Sequence, residues 1–128
     1  MIRLKQEPEA YRATIRHLSP PAIFALIGVV DPIFEKYGEE TIITSGEDGV
    51  HSRKSLHYRG DAFDVDLIGD GAGPGGTLEE MSESEEARMI EITQEIRERL
   101  GRDWDVVLEE THLHLEFQPK GPIPYNRE

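Results

Sequence analysis

The chain of 128 residues contains no cysteine, which excludes both a disulfide framework and a thiolate metal site. Basic residues are also scarce, with 14 lysines and arginines against 26 acidic residues and a formal net charge of −12. This balance disfavours binding to nucleic-acid phosphates and to anionic lipid surfaces, so we expect no nucleic-acid and no membrane partner. Because cysteine is absent, any metal ion must be held by histidine and carboxylate side chains.

Long hydrophobic runs are missing as well. The longest, residues 22–30, is interrupted by Gly28, is followed by Asp31-Pro32, and is too short to span a membrane. The first eight residues lack the charged-then-apolar order of a secretory signal, so we expect a protein that is cytoplasmic as synthesised. Nothing in the sequence indicates an oligomeric state.

Three segments have the start and stop signals of helices. Ser19 followed by two prolines predicts the start of a buried helix, and Asp31-Pro32 predicts its end and the start of a short helix over 33–37. The clearest helix is predicted over 81–100, where Ser82 and the glutamate three positions later form a capping box. Glycines directly after the second and third segments are typical helix ends.

Four further segments have the residue types and the alternation of strands. They are residues 41–45, the segment from 61 to 67, 104–108 and 113–117, the last two joined by a hairpin around 109–111. Residues 1–18 are predicted to be an opening strand or loop, and the Gly/Pro-rich residues 69–77 a loop beside the active cleft. We therefore expect one α+β domain over 1–128, with helices packed on an antiparallel sheet.

Histidines and carboxylates are concentrated on the non-core faces of two predicted strands. Strand alternation puts His112, His114 and Glu116 on one face, and Asp64 opposite the apolar face of its own segment. His57 precedes Asp64 by seven positions, with a turn expected at Gly60 between them. Nitrogen and oxygen ligands of this kind favour a divalent metal, zinc before any other.

The segment from Ser55 to Asp64 matches the pattern Ser-x-His-x-x-Gly-x-Ala-x-Asp without gaps. In this it resembles the zinc D-alanyl-D-alanine carboxypeptidase and L-alanyl-D-glutamate endopeptidase family, whose fold is shared with the hedgehog signalling domain. The Thr44-Ser45-Gly46 lead-in and the acidic-then-His-x-His segment at 108–114 are also similar to that family. The resemblance covers about residues 41–118, and it implies the hedgehog/DD-peptidase fold.

The resemblance implies that His57, Asp64 and His114 bind Zn²⁺, with water in the fourth place. Zinc would lower the pKa of that water and polarise the scissile carbonyl. His112 would donate a hydrogen bond to the oxyanion. Asp66 would orient neighbouring groups, with simple solvation at a strand end as the equal alternative.

A carboxylate shortly before the last ligand would act as the base. Strand alternation favours Glu110, whereas the family's spacing and a turn after residue 108 favour Glu109, toward which we lean. Relatives carry an arginine soon after the Thr-Ser-Gly turn, where this chain has Glu47 and Asp48. Arg53 is our candidate substitute.

These features predict a zinc metallopeptidase that hydrolyses peptidoglycan-type peptides containing D-amino acids, as a carboxypeptidase or an endolysin-like endopeptidase. Small members of the family without a leader are typical of phage genomes, so release at lysis or carriage in the particle is the expected route to substrate. The alternative is a catalytically retired domain with a structural metal, such as a component of a phage particle.

Overall fold

The fold is seen in a computed structural model that describes residues 2–4, 18–45, 60–68 and 76–120. These residues form five strands, namely β1 (Ile2–Leu4), β2 (Thr41–Ser45), β3 (Ala62–Asp66), β4 (Trp104–Leu108) and β5 (His112–Phe117). The helices are α1 (Pro20–Ala25), a π-helical turn (Leu26–Val30), α2 (Asp31–Lys36), a 3₁₀ turn (Leu78–Glu80) and α3 (Glu83–Leu100). The α+β class predicted from the sequence is confirmed.

The strands form one sheet in the order β1-β2-β3-β5-β4. β1 pairs with β2 in parallel, whereas every other pairing is antiparallel. The prediction of an antiparallel sheet is therefore wrong, because the sheet is mixed. The helical stretch lies between β1 and β2 in the chain and acts as the crossover connection that a parallel pair requires.

The first helix begins as predicted, because the Ser19 side chain accepts a hydrogen bond from the Ala22 amide at 3.4 Å. It does not end at Asp31-Pro32, so that prediction is wrong. The chain stays helical through the π turn, in which the Asp31 amide donates to the Leu26 carbonyl. Proline lacks an amide hydrogen and clashes with the preceding turn of a regular helix, which the wider π turn relieves. Gly38, at φ 75°, follows α2.

The long helix α3 starts two residues later than predicted and ends at the predicted residue. Ser82 and Glu85 form the expected capping box. Gly101, at φ 83°, follows the last turn in a conformation that favours glycine. Met89, Ile92 and Ile96 on this helix are fully buried and face the core.

The core lies between the helices and one face of the sheet. Its largest fully buried side chains include Phe34, Phe63, Leu26, Met89, Leu113 and Leu115. Among the described parts of the chain, no helix is both long enough and apolar enough to cross a membrane. The opposite face of the sheet carries the polar side chains that form the candidate site.

Candidate metal centre

The candidate site is built on the two central strands, β3 and β5. Their antiparallel register places Asp64 directly opposite His114 and Asp66 directly opposite His112. Side chains of directly opposed residues lie on the same face of a sheet, with their Cβ atoms about 5 Å apart. The predicted arrangement of Asp64, His112 and His114 on one face is confirmed.

These three side chains converge closely enough to share one ion. Each offers one potential ligand atom, and the three atoms all lie within 4.8 Å of one another. Ligand atoms around a tetrahedral zinc ion each lie about 2 Å from the metal, so small side-chain movements bring this set to coordination distance. The Asp64–His112–His114 cluster could therefore hold a metal ion.

Both ring nitrogens of His114 face carboxylates. Nδ1 lies 2.7 Å from Oδ1 of Asp64, and Nε2 lies 2.9 Å from Oε1 of Glu116. The hydrogen bond to Asp64 raises the pKa of His114 most; burial lowers it and the hydrogen bond to Glu116 raises it, to a net value of about 9. Without a metal, the ring is thus protonated at neutral pH and donates to both carboxylates.

His112 lies at the outer side of the cluster. Its Nε2 is 3.8 Å from Oδ1 of Asp64 and 3.7 Å from Oε1 of Glu109, while its Nδ1 is 2.9 Å from the Thr111 hydroxyl. The ring is therefore oriented by Thr111, with Nε2 toward the carboxylates. Asp64, Glu109 and Glu116 together surround the two imidazoles with negative charge, which favours a bound cation.

The hairpin turn that carries Glu109 is held by backbone hydrogen bonds. The Glu109 amide donates to the His112 carbonyl at 2.8 Å, and the Leu78 amide donates to the Glu110 carbonyl at 2.8 Å. Of the two predicted bases, Glu109 has its carboxylate beside His112, while Glu110 is exposed and bonds to the 3₁₀ turn through its main chain. Of the two glutamates, therefore, only Glu109 has its side chain beside the cluster.

A bulge interrupts the pairing of β2 with β3 beside the cluster. Ile43 pairs with Val65, but Ser45 then pairs with Asp64, so β2 carries one extra residue at this point. Bulges bend a strand, re-aim side chains and are common next to active sites. This one lies directly opposite Asp64.

Several predicted residues lie outside the described residues. These are the proposed ligand His57 and the proposed substrate-binding Arg53, together with the motif residue Ser55. The turn expected at Gly60 is described, with φ 76° at Gly60, two residues before β3 begins. The first predicted motif is therefore described only from Gly60 onward.

The sequence patterns did not determine the surroundings of two polar residues in this region, Asp66 and Glu116. Asp66 is only 2% exposed and its Oδ1 accepts from the Leu67 amide at 3.1 Å, so its interpretation as a solvated residue is wrong. The contact of Glu116 with His114 was missed, although strand alternation had placed both on one face. The Gln118 amide group donates to the other oxygen of Glu116.

Comparison of this chain with protein-family models, with curated proteins and with solved structures finds no match. The chemistry of the cluster is thus the observation on which a functional proposal rests.

Proposed function

We propose that this chain is a zinc-dependent peptidase that hydrolyses peptidoglycan-type peptides containing D-amino acids. The observation that carries the proposal is the convergence of Asp64, His112 and His114 within 4.8 Å, in which the first and last serve as ligands and His112 lies beside the metal. Imidazole and carboxylate without thiolate suit zinc in catalytic sites, where three protein ligands leave one position open. The substrate class rests on the resemblance of residues 55–64 to the peptidase family.

Asp64 and His114 would hold the metal, with His57 as the third ligand that the resemblance implies. When bound, zinc supplies Lewis acidity that polarises a carbonyl group and lowers the pKa of water. The Asp64 carboxylate is partly buried, with 13% of its side chain exposed, which strengthens its attraction for a cation.

Glu109 is our candidate general base. Its carboxylate lies 3.7 Å from His112 Nε2, and its side chain is 46% exposed, so solvent and substrate can reach it. In this role it would accept a proton from the attacking water and deliver it to the leaving amine. His112 would donate from Nε2 to the developing oxyanion, with Nδ1 accepting from the Thr111 hydroxyl.

The test combines metal analysis with a muropeptide digestion assay. We expect one zinc ion per chain, and Glu109→Gln should keep the zinc while reducing hydrolysis by about 10²–10⁴-fold, the usual contribution of a general base. Glu110→Gln is the matched control, and its rate of peptide hydrolysis should be close to that of the wild-type protein. A protein that binds no zinc, or one that hydrolyses equally well with Glu109→Gln, would contradict the proposal.

The second candidate function is that of a domain whose metal is structural, not catalytic. The position of His112 favours it. Its ligand-capable atom belongs to the same cluster, so four protein ligands including His57 would close the coordination sphere. His112→Ala separates the two functions. If His112 acts on substrate, the variant keeps stoichiometric zinc and loses hydrolysis; if His112 is a ligand, the variant loses zinc affinity.

A further inference from the structure

The outer side of His114 faces the carboxylate of Glu116, and the role of this contact rests on the proposed metal binding. Nδ1 of this ring faces the cluster, 2.7 Å from Asp64, whereas Nε2 faces away from it, 2.9 Å from Glu116. An imidazole ligand binds a metal through one deprotonated nitrogen and keeps its proton on the other. Which nitrogen becomes the ligand atom depends on which proton is retained.

Glu116 is placed to accept a hydrogen bond from Nε2 of His114 and so to keep a proton on that nitrogen. It lies on the same face of β5 as His114, two residues further along a paired strand, and its side chain is only 20% exposed. One carboxylate oxygen accepts from His114 and the other accepts from the Gln118 amide group. The carboxylate is thus held from two sides, which fixes its position relative to the ring.

We propose that Glu116 is a positioning residue that keeps the proton of His114 on Nε2 and thereby makes Nδ1 the metal-binding atom. A carboxylate acceptor on the outer nitrogen fixes both the tautomer and the orientation of a histidine ligand and increases its basicity. Loss of such a partner lowers metal affinity by about 10–100-fold in metalloproteins.

The test measures zinc affinity by competition with a chromophoric chelator. Glu116→Ala should bind zinc about 10–100-fold more weakly than the unchanged protein. Glu116→Gln should recover most of this loss, because its amide oxygen can still accept the Nε2 proton. Circular dichroism checks that both variants are folded, and nitrogen NMR of the His114 ring should report protonated Nε2 in the zinc-bound unchanged protein.

Asp105→Asn is the matched control. Asp105 is paired with Glu116 in the register of β4 and β5, and its Oδ1 lies 3.4 Å from Lys120 Nζ. This change removes one negative charge beside the same strand without touching His114, so we expect affinity to change by less than about threefold, the order of a screened surface charge. An equal loss in Asp105→Asn and Glu116→Ala would overturn the positioning role.

The outcomes separate this inference from the proposed function. If the protein binds zinc and hydrolyses peptide but Glu116→Ala binds zinc equally well, the inference fails and the function stands. If Glu116→Ala weakens zinc binding as expected but no peptide is hydrolysed, the inference stands and the function fails. A protein without zinc affinity would overturn both.

Discussion

The two faces of strands β3 and β5 differ in polarity and, at the metal cluster, in burial. On one face, Phe63, Val65, Leu113 and Leu115 are fully buried in the core. On the other face, the side chains of the cluster are partly exposed, 13% for Asp64 and 26% for His112. A single pair of strands thus supplies stability on one side and chemistry on the other, because successive side chains alternate.

Because the core face of these strands is tightly packed, the polar face has a rigid support. The residues of the cluster lie on paired strands whose opposite side chains are locked in the core, so their spacing is set by the sheet register. Sites built on strands hold their geometry better than sites built on loops. We therefore expect substitutions on the core face to change folding and those on the polar face to change metal binding.

The largest expected effect comes from Phe63→Ala. Removing a fully buried aromatic side chain should lower the free energy of unfolding by about 3–5 kcal/mol, because the transfer free energy is lost and a cavity remains. Urea denaturation followed by circular dichroism measures it, and the protein that remains folded should still bind zinc.

Asp64→Asn, the adjacent residue on the other face, is the control. Its carboxamide oxygen can still accept from His114 Nδ1, so we expect less than half the destabilisation of Phe63→Ala but a severe loss of zinc affinity. Equal destabilisation by the two substitutions would break the distinction between the faces.

Much of this division was predictable from the sequence, because the period of a strand is fixed by backbone geometry. Alternation alone placed Asp64, His112 and His114 away from the core. The boundaries of β2 and the capping box at Ser82 were also predicted, since β-branched residues and capping side chains act locally.

What could not be predicted depends on contacts between distant segments. The three residues of β1 are too few for a period, so their parallel pairing with β2 has no sequence signal. The helix continues through Pro32 because a π turn accommodates the proline, which the dipeptide does not indicate. The identity of the general base could not be decided from the sequence, because strand alternation favoured Glu110. In the structure, the hairpin turn brings Glu109 beside His112.

A smaller effect is expected from pH in the metal-free protein. The pKa of His114 is about 9 in the folded state against an ordinary 6.5, because its ring donates to Asp64 and Glu116 while burial opposes the charge. The folded state therefore binds this proton more tightly than the unfolded state. The resulting stabilisation is complete below pH 6.5 and is lost as the pH rises through about 9.

We accordingly expect the free energy of unfolding to fall by on the order of 2 kcal/mol between about pH 6 and pH 10. Urea titrations of chelator-treated protein across this range measure the change. His114→Gln should flatten the dependence, which separates this ring from other groups that titrate in the same range. A stability that rises with pH, or an equal fall in His114→Gln, would contradict the assignment.

The smallest expected effect comes from Val107→Thr, at the edge of the polar face. Val107 is paired with His114 in the register of β4 and β5, so it lies on the polar face, and 43% of the residue is exposed. Val107→Thr keeps the branched shape that strands favour and adds a hydroxyl that solvent can reach. We expect the free energy of unfolding to change by no more than about 0.5 kcal/mol, the usual range for surface substitutions. Zinc affinity should also be unchanged, because Val107 offers no ligand atom. A loss above about 1 kcal/mol, which is typical of buried positions, would mean that the polar face carries part of the packing that we assign to the core face alone.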